Sequence, residues 1–371
     1  MRGQGHQIFV DELQRFAAGR DDARVSAIAE RTAAPLRVVV RGRRGVGRGT
    51  VARALGGAGV SAKVSASIPV ADSTGAADRD VDVVVYVITE VVKPEDVDAI
   101  GRARNQAGHP VLAVLNKADL AGSLSGRGDE PIAAARTRCA ELAPLVGVPM
   151  EPMVGSLAVA ALDDLDSASW AALRTLAATP AAACLDDSFA GFLDADNPVP
   201  TDVRLRLLDT LDLFGIALGI AAIRQGRTPA QVRALLHRMS GVDAVLDKIS
   251  VVAAEVRYQR VLRAVAELEA LAVGQGRLGE RIGGFLSHDD TVLARMEAAV
   301  DLAEAAGLDP DNLGPVDRDR NPAAHLPRAA RWQRYSRASV SDLHRACGAD
   351  IARGSLRLWS QACGSLPGEW S

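Results

Sequence analysis

The stretch that decides the fold is Val111-Leu112-Ala113-Val114-Leu115-Asn116-Lys117-Ala118-Asp119, an apolar run that ends in three polar side chains. A short aliphatic run of this kind predicts a buried β-strand. In open α/β sheets, ligands bind at the carboxyl ends of such strands. The Asp119 carboxylate could accept hydrogen bonds from the N1–H and N2–H₂ groups of guanine, a donor pair that adenine lacks. We therefore expect Asp119 to bind guanine, with the Asn116 amide near the N7 edge and the Lys117 stem on the base plane.

Composition and charge restrict the class of protein. The chain has 371 residues, enough for two domains, and a formal net charge of -3. A dedicated nucleic-acid binder usually carries a basic surplus, so no nucleic-acid partner is expected. The four cysteines are far apart and lack metal-ligand spacing, which predicts reduced thiols and a cytoplasmic location. The longest apolar candidate, residues 213–223, is shorter than the roughly 18 residues that a membrane span needs, and we expect a buried helix there.

Short β-branched runs alternate with helical stretches over residues 35–162, and this alternation predicts an α/β domain. We expect strands at 36–41, about 62–71, 81–88, 111–115 and 148–154. Valine-rich strands separated by helices indicate a mostly parallel sheet with helices on both faces.

The remainder of the chain has a helical period and predicts an all-α helical bundle. We expect two N-terminal helices in residues 1–34 that pack with the bundle, a bundle over 163–307, a linker over 308–326 and helices over 327–371. The apolar stripe of the helix that begins near Val242 is interpreted as bundle core in preference to a coiled-coil seam for a partner.

A glycine-rich turn follows the first strand and resembles a phosphate-binding loop. Its backbone N–H groups could hold phosphates at the amino terminus of the next helix. The residues expected to do so are Gly42, Gly45, Gly47, Arg48, Gly49 and Thr50. Arg48 stands where such loops carry Lys, and Gly49 stands where they carry the Mg²⁺-binding Ser or Thr. The loop shape is therefore kept while its metal chemistry is compromised.

Two weaker elements complete the pattern. Asp72-Ser-Thr-Gly75 follows an apolar run, and Asp72 could lie near Mg²⁺ together with Thr50; the alternative is an ordinary surface turn. After the last expected strand, Ser156 and Leu157 belong to a turn of small residues whose backbone N–H groups could face the guanine O6.

In order and spacing these elements resemble the G domain of Ras-like and Era-like P-loop GTPases over about residues 36–160. The helical part, with Leu211 to Gly226 and Leu235 to Val242, is similar to bacterial dynamin-like GTPases. The resemblance implies GTP or GDP binding with Mg²⁺ and conformational switching. It also implies helices that self-associate, contact a related GTPase, or meet a membrane peripherally.

Two functions from different classes follow. The first is a guanine-nucleotide-binding switch or assembly protein with weak or absent hydrolysis, because phosphoryl transfer depends on positioning and charge stabilisation that this loop lacks. The second is a pseudo-GTPase, which binds no nucleotide and scaffolds or regulates a partner GTPase. A third, an ATP-dependent enzyme with a chance Asn-Lys-x-Asp, lacks a convincing acidic motif. We assign no catalytic residue.

Two arginine clusters offer other interpretations. The first could contact phosphates or act as an arginine finger, but a solvated loop is favoured; its members are Arg41, Arg43, Arg44, Arg48 and Arg53. The second could dock on anionic lipid or nucleic acid, but an exposed helix face or a bundle contact is favoured; it comprises Arg328, Arg331, Arg334 and Arg337 with Trp332 and Tyr335.

Overall fold

The computed structural model describes residues 4–19, 22–58, 62–66, 81–106, 108–122, 130–163, 165–179, 188–196, 198–308 and 322–364. The chain divides into two compact units, one formed by Pro35–Ile249 and the other by Met1–Ala34 with Ser250–Ser371. None of the helices in the described ranges is both long enough and apolar enough to cross a membrane.

The first unit contains a five-stranded parallel sheet in the order β2-β1-β3-β4-β5. Its strands are β1 (Leu36–Gly42), β2 (Ala62–Ala66), β3 (Val83–Ile88), β4 (Val111–Asn116) and β5 (Met150–Met153). Every residue of β3 and β4 is buried, as expected for central strands covered on both faces. The α/β class with a parallel sheet is therefore confirmed, although the run expected at 62–71 is a strand only over 62–66 in its described part.

The order of the strands places a topological switch point at the carboxyl end of the sheet. The chain leaves β1 towards β2 on one side and then returns to β3 on the other side of β1. Ligands of open α/β sheets bind in the crevice outside such a point. The loop after β1 lies at this crevice.

Helices surround the sheet and extend the unit beyond it. They are α3 (Arg48–Gly57), α4 (Pro94–Gly101), α5 (Pro131–Val146), α6 (Gly155–Leu162), α7 (Ser167–Ala178), α8 (Phe189–Asp194), α9 (Thr201–Arg224) and α10 (Pro229–Met239). A 3₁₀ turn, Ala118–Ala121, follows β4. Residues 163–249 group with the sheet, whereas we expected a boundary at 162. The reason is one apolar cluster in which Leu157 of α6 packs with Leu173, Leu207 and Leu211.

The second unit is entirely helical in its described parts. Its helices are α1 (Gln4–Ala18), α2 (Ala23–Ala33), the part of α11 (Val242–Ala272) after Ile249, α12 (Arg277–Ser287), α13 (Asp289–Ala305), α14 (Pro322–Ala338) and α15 (Asp342–Gly364). Residues 1–34 group with these helices. Helix α14 begins at Pro322, so residues 322–326 are helical where we expected a linker; proline is readily accepted at a first helical position. The expected linker residues 309–321 lie outside the described residues.

The arginine-rich stretch near the C-terminus is a bundle contact. Trp332 is fully buried in the core of the helical unit. Arg328 is also buried, and its Nε donates to Ser355 Oγ at 2.8 Å. The burial of Trp332 and Arg328 supports the interpretation of this stretch as a bundle contact.

Candidate functional site

Three loops at the carboxyl end of the sheet are joined by the side chain of Asn116. Asn116 is buried at the end of β4. Its Nδ2 donates to the carbonyl oxygen of Val46 at 2.9 Å, and its Oδ1 accepts from the N–H of Gly155 at 3.0 Å. The loop after β1, the end of β4 and the start of α6 are thus held as one surface. Both polar ends of this amide are engaged within the protein, so Asn116 acts here by positioning loops.

Close packing explains two of the predicted glycines in the loop after β1. Gly42 has φ +148°, and a Cβ there would lie 2.5 Å from the carbonyl oxygen of Val87. Gly47 has φ +82°, and a Cβ there would lie 2.4 Å from Asn116 Nδ2. No side chain caps the helix that begins immediately afterwards, since its N-cap is Gly47. The first-turn N–H groups of α3 therefore face the loop in the way that favours an anion.

Arg48 folds back across this loop. Its Nη1 donates to the carbonyl oxygen of Gly42 at 2.9 Å, which joins the last part of the loop to its first residue. Gly49 is exposed and offers no side chain. Thr50 is half-buried, with its methyl carbon 3.3 Å from the position that a Cβ on Gly155 would take. The loop thus has an internal cationic contact in place of a free lysine.

The residues proposed for Mg²⁺ are not brought together by the described part of the chain. Asp72 lies outside the described residues. Within the described ranges, no group of three His, Cys, Asp or Glu side chains could hold a metal ion. A Mg²⁺ site through Thr50 and Asp72 stays a prediction.

A buried aspartate that sequence reasoning missed anchors the loop from the other side. Asp96 of α4 is 0% exposed. It accepts from Arg43 Nε at 2.9 and 3.1 Å, from the Tyr86 hydroxyl at 3.1 Å and from the Lys93 N–H at 2.9 Å. Burial, and then the nearby Asp96 carboxylate, raise the pKa of Tyr86 above its ordinary range. Arg43 is therefore a structural brace; the available signal was an Asp three residues after Lys93, a usual place for a residue that caps a helix.

The Asp119 carboxylate is the most unusual group of the site. It is 7% exposed, and its Oδ1 has no hydrogen-bond partner. Burial, and then the carboxylate of Asp212, raise the pKa of Asp119 to about 6, against smaller opposing effects of its own backbone N–H and of Lys117. A buried acceptor without a donor is costly, so a ligand that supplies N–H groups would be stabilised there.

Lys117 lies beside a separate cavity. It is exposed, with a left-handed backbone (φ 57°) that starts the 3₁₀ turn carrying Asp119. The cavity has a volume of about 360 Å³ and is lined by Lys117, Leu115 and Leu120 on one side and by α5 residues such as Arg138 on the other. The Asp119 side chain does not line it.

The first turn of α6 offers the candidate site backbone groups more than side chains. Ser156 is half-buried, while the Leu157 side chain is fully buried in the apolar cluster. Only the backbone of Leu157 could therefore face a ligand. The Val154 N–H donates to the carbonyl oxygen of Ser240 at 2.8 Å, which fixes the start of this turn.

Asp212 of α9 is a second residue that sequence reasoning missed. It interrupts the helix with φ 60° and ψ 175°. The available signal was a single charge within the apolar stretch Leu211–Ile216. Its negative charge contributes, after burial, to the raised pKa of Asp119.

Most of the predicted residues lie at the carboxyl end of the sheet, in the segments that follow β1, β4 and β5. They are Gly42, Gly45, Gly47, Arg48, Gly49, Thr50, Asn116, Lys117, Asp119, Ser156 and Leu157. Compared with known proteins, the chain matches no protein-family model and no curated protein.

Proposed function

We propose that this chain is a guanine-nucleotide-binding protein of the P-loop GTPase type, similar to dynamin-like GTPases, with weak or absent hydrolysis. The observation that carries the proposal is the buried Oδ1 of Asp119, an acceptor without a donor at the carboxyl end of β4. Guanine offers N1–H and N2–H₂ side by side, which match a carboxylate. Adenine would leave the acceptor unsatisfied.

The surrounding geometry supports a ligand with a base and a phosphate. The loop from Gly42 to Gly47 and the amino terminus of α3 supply N–H groups for an anion. The backbone N–H groups of Ser156 and Leu157 lie in the first turn of α6, where they could bond a carbonyl oxygen of the base. Asn116 bridges these two parts, so one bound molecule would span them.

Weak hydrolysis is proposed from the loop's side chains. Arg48 is engaged with the Gly42 carbonyl, and Gly49 has no hydroxyl for Mg²⁺. A P-loop enzyme uses a Lys on the phosphates and a Ser or Thr on the metal ion, and most of its rate enhancement comes from such positioned charges. GTP or GDP is the expected ligand, with Mg²⁺ as the metal that would accompany it.

A second candidate is a pseudo-GTPase that binds no nucleotide. It is favoured by the same Arg48–Gly42 contact, because this internal hydrogen bond occupies a guanidinium N–H that a phosphate would otherwise accept. The fold would serve as an interaction module for a partner GTPase or a second copy. Under either function, a cytoplasmic location and peripheral membrane contact stay proposals.

Calorimetric titration with GDP, GTP and ATP, with and without Mg²⁺, separates the two candidates. Selective micromolar binding of guanine nucleotides supports the first, and no binding of any nucleotide supports the second. Asp119→Asn replaces an acceptor pair by an amide, which can donate to the O2 of xanthine, so the preference should move from GDP to XDP. The matched control is Asp98→Asn on the exposed face of α4, which should leave both affinities unchanged.

A further inference from the structure

The cavity beside Lys117 is separate from the Asp119 carboxylate and has the size of a small-molecule site. Its volume of about 360 Å³ lies at the lower end of the range for ligand pockets. The segments that follow β3 and β4 form one wall, and α5 forms the other. The apolar lining includes the buried Leu115 and Ala118 and the half-exposed Leu120. The cavity can therefore take an apolar group of a ligand out of water.

Two side chains of opposite charge line this cavity from neighbouring strands. The parallel strands β3 and β4 have Ile88 and Leu115 as the last pair in their register. Glu90 and Lys117 each lie two residues beyond that pair, and both line the cavity. Both are exposed, and neither makes an ion pair or a side-chain hydrogen bond, with the other or with any other residue, within the described part of the chain. A carboxylate and an ammonium group are therefore available to a ligand.

The backbone is unusual at both of these charged residues. Glu90 has φ 54° and Lys117 has φ 57°, and among the described non-glycine residues only Asp212 also has a positive φ. A left-handed backbone is uncommon for residues other than glycine, and it persists where the surrounding structure imposes it, often at ligand sites. Two of the three such residues line one cavity, so the fold itself holds the two charges there.

Helix α5 supplies the opposite wall and leaves no further charge uncompensated. Ala134, Thr137, Arg138 and Glu141 line the cavity at intervals of three or four residues, which places them on one face of the helix. Arg138 Nη1 donates to Glu141 Oε2 at 2.9 Å. These two charges therefore compensate each other, and a ligand meets one carboxylate and one ammonium group.

We propose that this cavity binds a free α-amino acid with an apolar side chain. The carboxylate of the amino acid pairs with Lys117, its ammonium group pairs with Glu90, and its side chain lies against Leu115 and Leu120. A simple anion would meet the like charge of Glu90, and a simple cation that of Lys117, whereas a zwitterion compensates both. The inference goes beyond the proposed function, because this site needs no nucleotide.

Calorimetric titration of the full chain without nucleotide tests the site. The probes are L-leucine, L-methionine and L-phenylalanine, together with two derivatives of L-leucine. N-acetyl-L-leucine keeps the carboxylate and lacks the ammonium group, and L-leucinamide keeps the ammonium group and lacks the carboxylate. At least one of the amino acids should bind. Each derivative should bind about fivefold more weakly than L-leucine, the upper end for the loss of one exposed ion pair.

Two variants assign each charge of the ligand to a residue. Lys117→Met should weaken the binding of L-leucine about fivefold and leave L-leucinamide unaffected, because that derivative has no carboxylate to lose a partner. Glu90→Gln should weaken L-leucine likewise and leave N-acetyl-L-leucine unaffected. The matched controls are Lys93→Met and Glu95→Gln, at exposed positions that do not line the cavity. Both controls should bind all probes as the wild type does.

A third variant fills the cavity. Ala134 lines it, whereas Ala133, the preceding residue of α5, is exposed and does not. The phenyl group of Ala134→Phe should occupy the space of the ligand side chain and abolish binding. Ala133→Phe is the matched control and should bind as the wild type does. Thermal unfolding verifies that both variants are folded.

The outcomes separate this site from the proposed function. Loss of binding in Ala134→Phe alone, together with the two charge-specific losses, supports the site. No binding of any of the three amino acids overturns it, even where GDP binds selectively. Equal affinity for L-leucine and both derivatives, or equal binding by Ala134→Phe and Ala133→Phe, also overturns it. Amino-acid binding without guanine-nucleotide binding supports this site and overturns the proposed nucleotide binding.

Discussion

The Asn116 side chain donates to the carbonyl oxygen of Val46 over 2.9 Å and thereby joins the end of β4 to the loop after β1. Its other end accepts from the Gly155 N–H. Together the two bonds fix the relative position of the surfaces proposed for base and phosphate. Asn116 thus joins three segments of the chain at the carboxyl end of the sheet.

Replacing Asn116 by Ala should destabilise the sheet unit by about 2–4 kcal/mol, because two buried backbone groups lose their partners. Chemical denaturation, followed by a signal from the unit that contains the sheet, measures this loss of unfolding free energy. Asn105→Ala, at an exposed position, is the control and should change stability by less than about 0.5 kcal/mol. A loss at 116 no larger than at 105 would contradict the bracing role.

Asp119→Asn should stabilise the protein above pH 6. The pKa of Asp119 is raised to about 6 in the folded chain, so the folded state holds this proton more tightly than the unfolded state. The contribution of Asp119 to the free energy of unfolding is therefore greatest below pH 3.8, the ordinary pKa of an aspartate. It falls as the pH rises towards 6 and is constant above pH 6. The shift from 3.8 to about 6 corresponds to at most about 3 kcal/mol at neutral pH, which the amide variant should recover.

Thermal unfolding of the wild type and Asp119→Asn between pH 4 and pH 8 measures this difference. The two curves should diverge as pH rises to 6 and run parallel above it. A constant separation across the range would show that Asp119 does not titrate near 6 in the folded protein.

Guanine-nucleotide binding should weaken below pH 6. Only the ionised Asp119 accepts two hydrogen bonds, and its pKa in the free protein is about 6. Affinity for GDP should then fall about tenfold for each pH unit below that value, with proton release on binding at pH 6. Calorimetry in buffers of different ionisation enthalpy measures the released proton. Affinity that is constant from pH 5 to pH 7 would contradict base reading by this carboxylate.

The sequence predicted the sheet well because aliphatic strand runs have few alternative structures. The run Val111–Leu115 is buried throughout, and so is Val83–Ile88. The positions of Asn116 and Asp119 were partly predictable, because Asn116 ends β4 and Asp119 follows it, and the carboxyl end of a central strand faces the crevice. Asp96 and Asp212 were not predicted, since each reaches the site from a helix and nothing in local periodicity shows which loop a helix will contact.

Arg43→Ala should cost about 3 kcal/mol, because Asp96 is fully buried and would lose the Nε–H of its only cationic partner among the described contacts. Arg44→Ala, one residue later and exposed, is the control and should be nearly neutral. The double variant Arg43→Ala with Asp96→Asn should recover part of the loss, since the uncompensated charge is removed. Additive losses in this cycle, measured by denaturant unfolding, would contradict a direct ion pair.

Restoring the phosphate loop should raise the affinity for Mg-GTP. The double variant Arg48→Lys with Gly49→Ser supplies a lysine and a hydroxyl at the positions that P-loops use for the phosphates and the metal. It also removes the arginine that folds back across the loop onto the Gly42 carbonyl oxygen. Arg48→Ala with Gly49→Ser is the matched control, because it removes the same contact without supplying the lysine. A gain in the lysine variant alone, about tenfold or more and dependent on Mg²⁺, is expected because an added charge-assisted bond contributes about 1.5–3 kcal/mol. An equal gain in both variants would show that the folded-back arginine is what weakens Mg-GTP binding, and no gain in either would show that the weakness lies outside residues 48 and 49.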